Sequence, residues 1–157
     1  LDHREPGILG VVLTTPSLYA ELICDGIHTA PEIVQLWRSA KGPHRSILVT
    51  DAMSAAGMPD GEYQLGGFTV QVANGRAMAR GVLAGSVLTL DRALTNYIAF
   101  TGASLQESLP LLTVNPATMA GLTASAGSLT PGSLANFVVL EKSGSLRASI
   151  LDGQRAA

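Results

Sequence analysis

The chain has 157 residues, 46% of them hydrophobic, 14% charged and 4% aromatic, with a net charge of −2. That length and apolar share support one domain with a real core, and the lack of any Lys/Arg stripe excludes a grip on phosphodiesters. A lone Cys24 excludes an internal disulfide, which points to a reducing, cytoplasmic setting, and no apolar run reaches the ~18 residues of a membrane span.

The first residues, LDHREPG, are charged and carry neither an apolar h-region nor a Met, so they read as a chain entered in mid-course rather than a signal peptide. Residues 8–13 (ILGVVL) are apolar and suit either a strand or a short helix. The stretch 19–28 (YAELICDGIH) reads as a strand ending near Asp25-Gly26, with His28 just past its end. A helix follows: Thr29 and Glu32 have capping-box spacing, Pro31 sits in the first turn, and Gly42 stops it after Lys41. Ile33, Leu36, Trp37 and Ala40 recur at i, i+3, i+4 and i+7, which predicts one buried face. A strand over 46–50 completes a strand–helix–strand unit of the kind that makes parallel neighbours.

Pro59-Asp60-Gly61 then signals a turn. Asn74-Gly75 lies between two alternating runs in 68–79 and predicts a hairpin. Helical period returns over 86–99, with Ser86 as N-cap and Val87, Leu90, Leu94 and Tyr97 on the buried face. A second capping box, Ser104 with Glu107, opens a helix carrying Leu105, Leu109 and Leu112. Asn115-Pro116 begins a third, stopped at Gly121. Strands over 135–140 and 146–151 and a turn at Asp152-Gly153 close the chain. The fold class is α/β, with the terminal strands in a separate small sheet.

Ligands of open α/β sheets and α/β barrels meet the carboxyl ends of the strands. His28 and Asp51 fall at two such ends, one βα unit apart, and are expected side by side over one pocket. Asp51 is compatible with a general base, a metal ligand or a turn cap; the small residues after it, AMSAAG, leave room for a ligand. His28 suits an anion contact, an acid/base or a loop closure. Arg4, beside a Pro-Gly turn, is a surface charge or a bidentate phosphate contact. Leu83, Ala84, Gly85 and Ser86 end at a predicted helix N-terminus, where backbone N–H groups hold ligand oxygens or Ser86 simply caps. Cys24 reads as an inert core thiol and His44 as a solvated loop residue. The chain has no HxH, no HExxH and no Cys pair, so no metal site is built from its own residues.

Taken in order, HREPG, YAELICDGIHTAP, LVTDAMSAAGMPDGEYQLGG, GVLAGSVLTLDRAL and TVNPATMAGL resemble the C-terminal part of the N-acetylglucosamine-6-phosphate deacetylase family. The tail GSLTPGSLANFVVL is similar to a closing strand of the small β-sandwich of the wider amidohydrolase superfamily. The resemblance implies the last strands and helices of a (β/α)8 barrel over 1–125, with a β-hairpin insert at about 62–80, and sandwich strands over 126–157. It implies removal of acetate from N-acetylglucosamine 6-phosphate, with Asp51 as general base towards a metal-bound water and then general acid to the leaving amine. It also implies that His28 binds substrate, that Leu83, Ala84, Gly85 and Ser86 line the sugar pocket, and that Arg4 contacts the phosphate across a homodimer interface. The cofactor implied is a divalent metal, Zn or Fe, whose Glu and His ligands lie upstream of HREPG and outside this chain. The 157 residues alone are therefore expected to be inactive. The competing readings are a non-catalytic sugar-phosphate-binding module and an amidohydrolase for another N-acyl substrate.

Overall fold

Residues 20–49 form the predicted strand–helix–strand unit. In the computed structural model, which describes residues 2–156, β1 (Ala20–Ile23) and β2 (Ser46–Val49) are joined through α2 (Pro31–Lys41). The two strands pair in parallel, from Ala20 opposite Ser46 to Ile23 opposite Val49. Parallel pairing needs such a crossover, because a tight turn returns the chain antiparallel. Ala20 and Leu22 of β1 are buried while Glu21 is exposed, so alternate residues face a packed side and an open side. Within this two-stranded sheet β1 pairs only with β2.

The expected face of α2 is shifted. Val34, Trp37 and Lys41 are buried, whereas Ile33 and Leu36 are 41% and 42% exposed. Ile33 turns instead towards an open cleft of ≈ 880 Å³ along β1, which is also lined by Ile8, Val12 and Met119. Lys41 is buried because its ammonium donates to the carbonyls of Val12 (2.9 Å) and Thr15 (2.8 Å). Those carbonyls close α1 (Gly7–Thr14), the apolar stretch left open between strand and helix. A cation there satisfies orphan carbonyls while its stem covers apolar surface. The Thr29–Glu32 capping box does not form: Ala30 is the N-cap, with no side-chain cap bond. Gly42 ends α2 at φ 64.

After β2 the insert is larger than one hairpin. β3 (Gly61–Leu65), β4 (Phe68–Ala73), β5 (Arg76–Ala79) and β6 (Val82–Leu83) form a four-stranded antiparallel meander in that order. Asn74 (φ 52) and Gly75 (φ 75) are both left-handed, as a two-residue type I′ hairpin requires. The inner residues Val70, Val72, Ala77 and Ala79 pack with Met53 and Ala55 as one core cluster. The other cluster gathers Leu22, Val34, Leu48 and Leu111 with Trp37 and Tyr97, whose rings meet edge-on at 6.1 Å.

α3 (Leu90–Thr101) starts with Thr89 as N-cap, later than predicted. Leu94 and Tyr97 are buried as expected, but Leu90 is 49% exposed. The Ser104–Glu107 capping box forms in both directions at the start of α4 (Leu105–Ser108). Pro110 then falls in a 3₁₀ turn over Leu109–Leu112, and the tighter winding buries Leu111 in place of the expected leucines. α5 (Val114–Met119) is tied to β2 through the Asn115 amide, which donates to the carbonyls of Pro43 (2.7 Å) and Ser46 (2.8 Å). β7 (Phe137–Leu140), β8 (Leu146–Leu151) and β9 (Gln154–Arg155) make a separate antiparallel sheet. Its Phe137, Val138, Val139, Leu146 and Leu151 remain exposed. Among the described residues no helix is long and apolar enough to cross a membrane.

Candidate active site

The apolar run of β2 ends at Val49, and two residues later Asp51 takes a left-handed backbone, φ 47. Aspartate tolerates that region better than most residues, and an outlier of this kind persists only where its surroundings hold it. Segment 84–86 supplies the hold. Ala52 and Ser86 form a parallel bridge. The Ser86 N–H donates to the Asp51 carbonyl (3.0 Å), and the Met53 N–H donates to the Ser86 carbonyl (2.9 Å). The buried Ser86 hydroxyl donates to the Thr50 carbonyl and accepts from the Leu88 N–H. Residues 84–86 thus run as a short third rail beside the end of β2.

These bonds correct the reading of 83–86 as a helix start. The long-range bridge claims the Ser86 hydroxyl and N–H, so α3 begins only at Leu90. Ser86 therefore acts through position, its hydroxyl committed to backbone, while Leu83, Ala84 and Gly85 keep surface to offer. Gly85 is left-handed (φ +72), and a Cβ there would lie 3.5 Å from the Asp51 carbonyl oxygen. The Asp51 side chain is exposed. With Glu21, Leu22, Ile23 and Val49 it lines a cleft of ≈ 380 Å³ at the strand ends.

His28 sits in the loop after β1, anchored where Asn96 of α3 donates to the Cys24 carbonyl (2.9 Å). Its Nδ1 lies 2.6 Å from Asp25 Oδ2, and the two side chains are 20% and 8% exposed. The other oxygen, Asp25 Oδ1, accepts from the N–H groups of Ile27 and His28, both at 2.8 Å. Burial alone would raise the Asp25 carboxyl. The His28 hydrogen bond and the two backbone N–H bonds outweigh it and hold the group below the usual carboxylate range. Burial, with the Asp25 charge adding to it, pushes the Cys24 thiol up to about 12, consistent with an inert core residue.

His28 and Asp51 do not line one pocket. His28 borders the larger cleft and Asp51 the smaller, and the two share Glu21, Leu22 and Ile23. Arg4 is exposed ahead of α1 and borders neither. Sequence reading passed over Asp25 as a strand end; its signal was the D-G-x-H spacing, which lets a turn fold the carboxylate back onto the imidazole. Among the described residues no three His, Cys, Asp or Glu side chains converge to hold a metal ion.

The parallel βαβ unit with polar residues at its strand ends is an α/β arrangement, and the match is to the amidohydrolase family, over residues 26–156. The chain belongs to that family, whose members generally depend on a divalent metal. It is 40% identical over 158 residues to the N-acetylgalactosamine-6-phosphate deacetylase of Escherichia coli O157:H7, covering all of this chain and 42% of that one. It is 40% identical over 153 residues to the N-acetylglucosamine-6-phosphate deacetylase of Lysinibacillus sphaericus, covering 97% of this chain and 39% of that one. The crystal structure of the Thermotoga maritima N-acetylglucosamine-6-phosphate deacetylase superposes with a TM-score of 0.90 at 36% identity, over 99% of this chain and 43% of that one. A Mycobacterium smegmatis mutant deacetylase solved with N-acetyl-D-glucosamine-6-phosphate superposes at 0.88 and 34% identity, over 98% and 42%. The chain thus spans about two fifths of the length of these relatives. A further relative, from Escherichia coli K12, is 40% identical and is covered over 94% of its length.

Proposed function

We propose that this chain is the proton-transfer and sugar-binding part of an amidohydrolase that converts N-acetylglucosamine 6-phosphate to glucosamine 6-phosphate and acetate. The observation that carries the reading is Asp51, an exposed carboxylate at a strand end, held in a left-handed turn by the Ser86 segment. In the reaction, the attacking water's oxygen bonds to the amide carbonyl carbon while Asp51 takes its proton. Asp51 then delivers that proton to the nitrogen as the C–N bond breaks, releasing acetate and the amine. The metal, Zn or Fe, belongs to residues outside this chain.

Residues 1–125 fit the last part of a (β/α)8 barrel, with β1 and β2 among its last strands, and 126–157 fit strands of a small β-sandwich. His28 and residues 83–85 contact the sugar. Arg4, which borders neither cleft, reaches the phosphate of a partner subunit's substrate in a cytoplasmic homodimer. A relative named for the galactosamine epimer is as similar as one named for the glucosamine epimer, so both substrates belong in the assay.

The test is Asp51→Asn in the full-length protein. Acetate release should fall by about 10²–10⁴-fold, with glucosamine 6-phosphate still bound and the fold unchanged, since asparagine also tolerates φ 47. Turnover within tenfold of the parent sinks the assignment of Asp51. A parent that binds glucosamine 6-phosphate without releasing acetate points to a binding module instead.

A further inference from the structure

We propose that Asp25 is a positioning residue that fixes the His28 imidazole as the Nδ1–H tautomer and leaves Nε2 as a hydrogen-bond acceptor for a ligand hydroxyl. The inference rests on the reading of His28 as a substrate contact. Its physical basis is the division of labour between the two Asp25 oxygens. Oδ1 is taken by the N–H groups of Ile27 and His28, at 2.8 Å each, and shapes the loop. Oδ2 faces His28 Nδ1 at 2.6 Å and does nothing for the backbone. An ionised carboxylate has lone pairs only, so the ring nitrogen facing it must carry the proton. A neutral imidazole has one N–H, and the opposite nitrogen is then a bare lone pair. The Asp25 side chain is only 8% exposed, so water competes poorly for Oδ2, while His28 at 20% keeps an edge on the cleft along β1. The carboxyl stays ionised in this setting because three donors hold it below its ordinary range.

Such a site recognises a donor. A sugar hydroxyl donates a hydrogen bond to Nε2, whereas a bare phosphate oxygen, itself an acceptor, is refused by the neutral ring. A neutral His28 ring therefore meets a hydroxyl of the sugar rather than its phosphate.

Asp25→Asn is the informative change because it separates the two oxygens. The amide oxygen replaces Oδ1 and keeps the backbone bonds, while the amide nitrogen replaces Oδ2 and can only donate. Nδ1 must then accept, and the proton moves to Nε2. The ring keeps its place and reverses its polarity towards the ligand. The measurement is the ¹⁵N shifts of the His28 ring nitrogens in the full-length protein, at about pH 9, above the range where imidazole normally protonates. The parent should show a protonated Nδ1 and a bare Nε2, and Asp25→Asn the reverse. Glucosamine 6-phosphate should bind Asp25→Asn roughly tenfold more weakly, and Asp25→Glu should recover part of that loss. A bare Nδ1 in the parent overturns the proposal with no variant needed, so a misfolded Asp25→Asn does not protect it. Unchanged binding after an observed tautomer switch overturns the ligand role of Nε2. A parent with the expected tautomer that binds no amino-sugar phosphate overturns the proposed function and the ligand role, while the tautomer control by Asp25 stands.

Discussion

Replacing Ser86 with alanine should loosen the candidate site without touching a substrate contact. Ser86 is 2% exposed. Its hydroxyl serves the Thr50 carbonyl as donor and the Leu88 N–H, 3.2 Å away, as acceptor. Alanine removes one oxygen, a void too small to admit a water. The Leu88 N–H then stays buried and unpaired, which costs about 1–3 kcal/mol, while the half-buried Thr50 carbonyl finds water and loses only about 0.5–1.5 kcal/mol. The sum is about 1.5–4.5 kcal/mol. With a urea slope of about 2 kcal/mol/M, typical of a domain this size, the unfolding midpoint should fall by about 1–2 M. Ser133→Ala, which removes an exposed hydroxyl bonded only to Thr130, is the control and should stay within ~0.5 kcal/mol. Amide exchange adds a local reading: the Ser86 and Met53 N–H groups, which bond across the pin, should exchange faster in Ser86→Ala under native conditions. A midpoint shift no larger than that of Ser133→Ala would refute the pinning role.

Gly85→Ala should cost about 1–2 kcal/mol, from forcing an L-residue to φ +72. The contacts at 3.5 Å are ordinary, so the loss is backbone strain, and a melting temperature within 1 °C of the parent's, against an expected drop of about 2–8 °C, would refute it. Cys24 gives a pH dependence of definite sign. Its thiol is raised to about 12 in the folded state, so the unfolded chain ionises first. Its share of stability is complete below about pH 9 and is lost towards 12, at about 1.4 kcal/mol per pH unit. Tyr97, also raised chiefly by burial, adds slope only above its own ordinary range. Cys24→Ala should remove the first component, and identical alkaline slopes in parent and variant would contradict the buried-thiol account.

Signals that depend on neighbours a few residues away were legible in the sequence. Asn74-Gly75 forms its hairpin turn because both residues accept positive φ. Ser104 and Glu107 cap α4 because the bonds close over three residues. Gly42 ends α2 for the same local reason. What escaped was decided at longer range. Ser86 looks like an N-cap, yet its hydroxyl goes to Thr50, 36 residues away, and the helix waits until Leu90. Ile33 and Leu36 carry the right period for burial but face an open side, while Lys41 is buried because two carbonyls of another segment receive it. Periodicity says which residues share a face, not what covers that face. At the site, the strand-end position of Asp51 was readable. Its left-handed backbone and the rail of residues 84–86 beside it were not.

The two aspartates at neighbouring strand ends show how opposite environments suit opposite tasks. Asp25 is nearly buried and saturated, with one oxygen on two backbone N–H groups and the other on an imidazole. Such a carboxylate is held below its ordinary range and exchanges a proton only at a high cost, because protonation discards bonds that nothing replaces. It can orient a neighbour and can do little else at neutral pH. Asp51 is exposed, and among the described residues its carboxylate accepts no hydrogen bond; only its backbone is held. A group that must take and return a proton in each turnover needs that freedom, because every standing bond to its charged form would be paid for again at each protonation. Rigid backbone with an uncommitted side chain is thus the arrangement expected of the acid/base, and a committed side chain the arrangement expected of the orienting residue. Exchanging the two environments would be expected to abolish both roles while leaving the composition of the site unchanged.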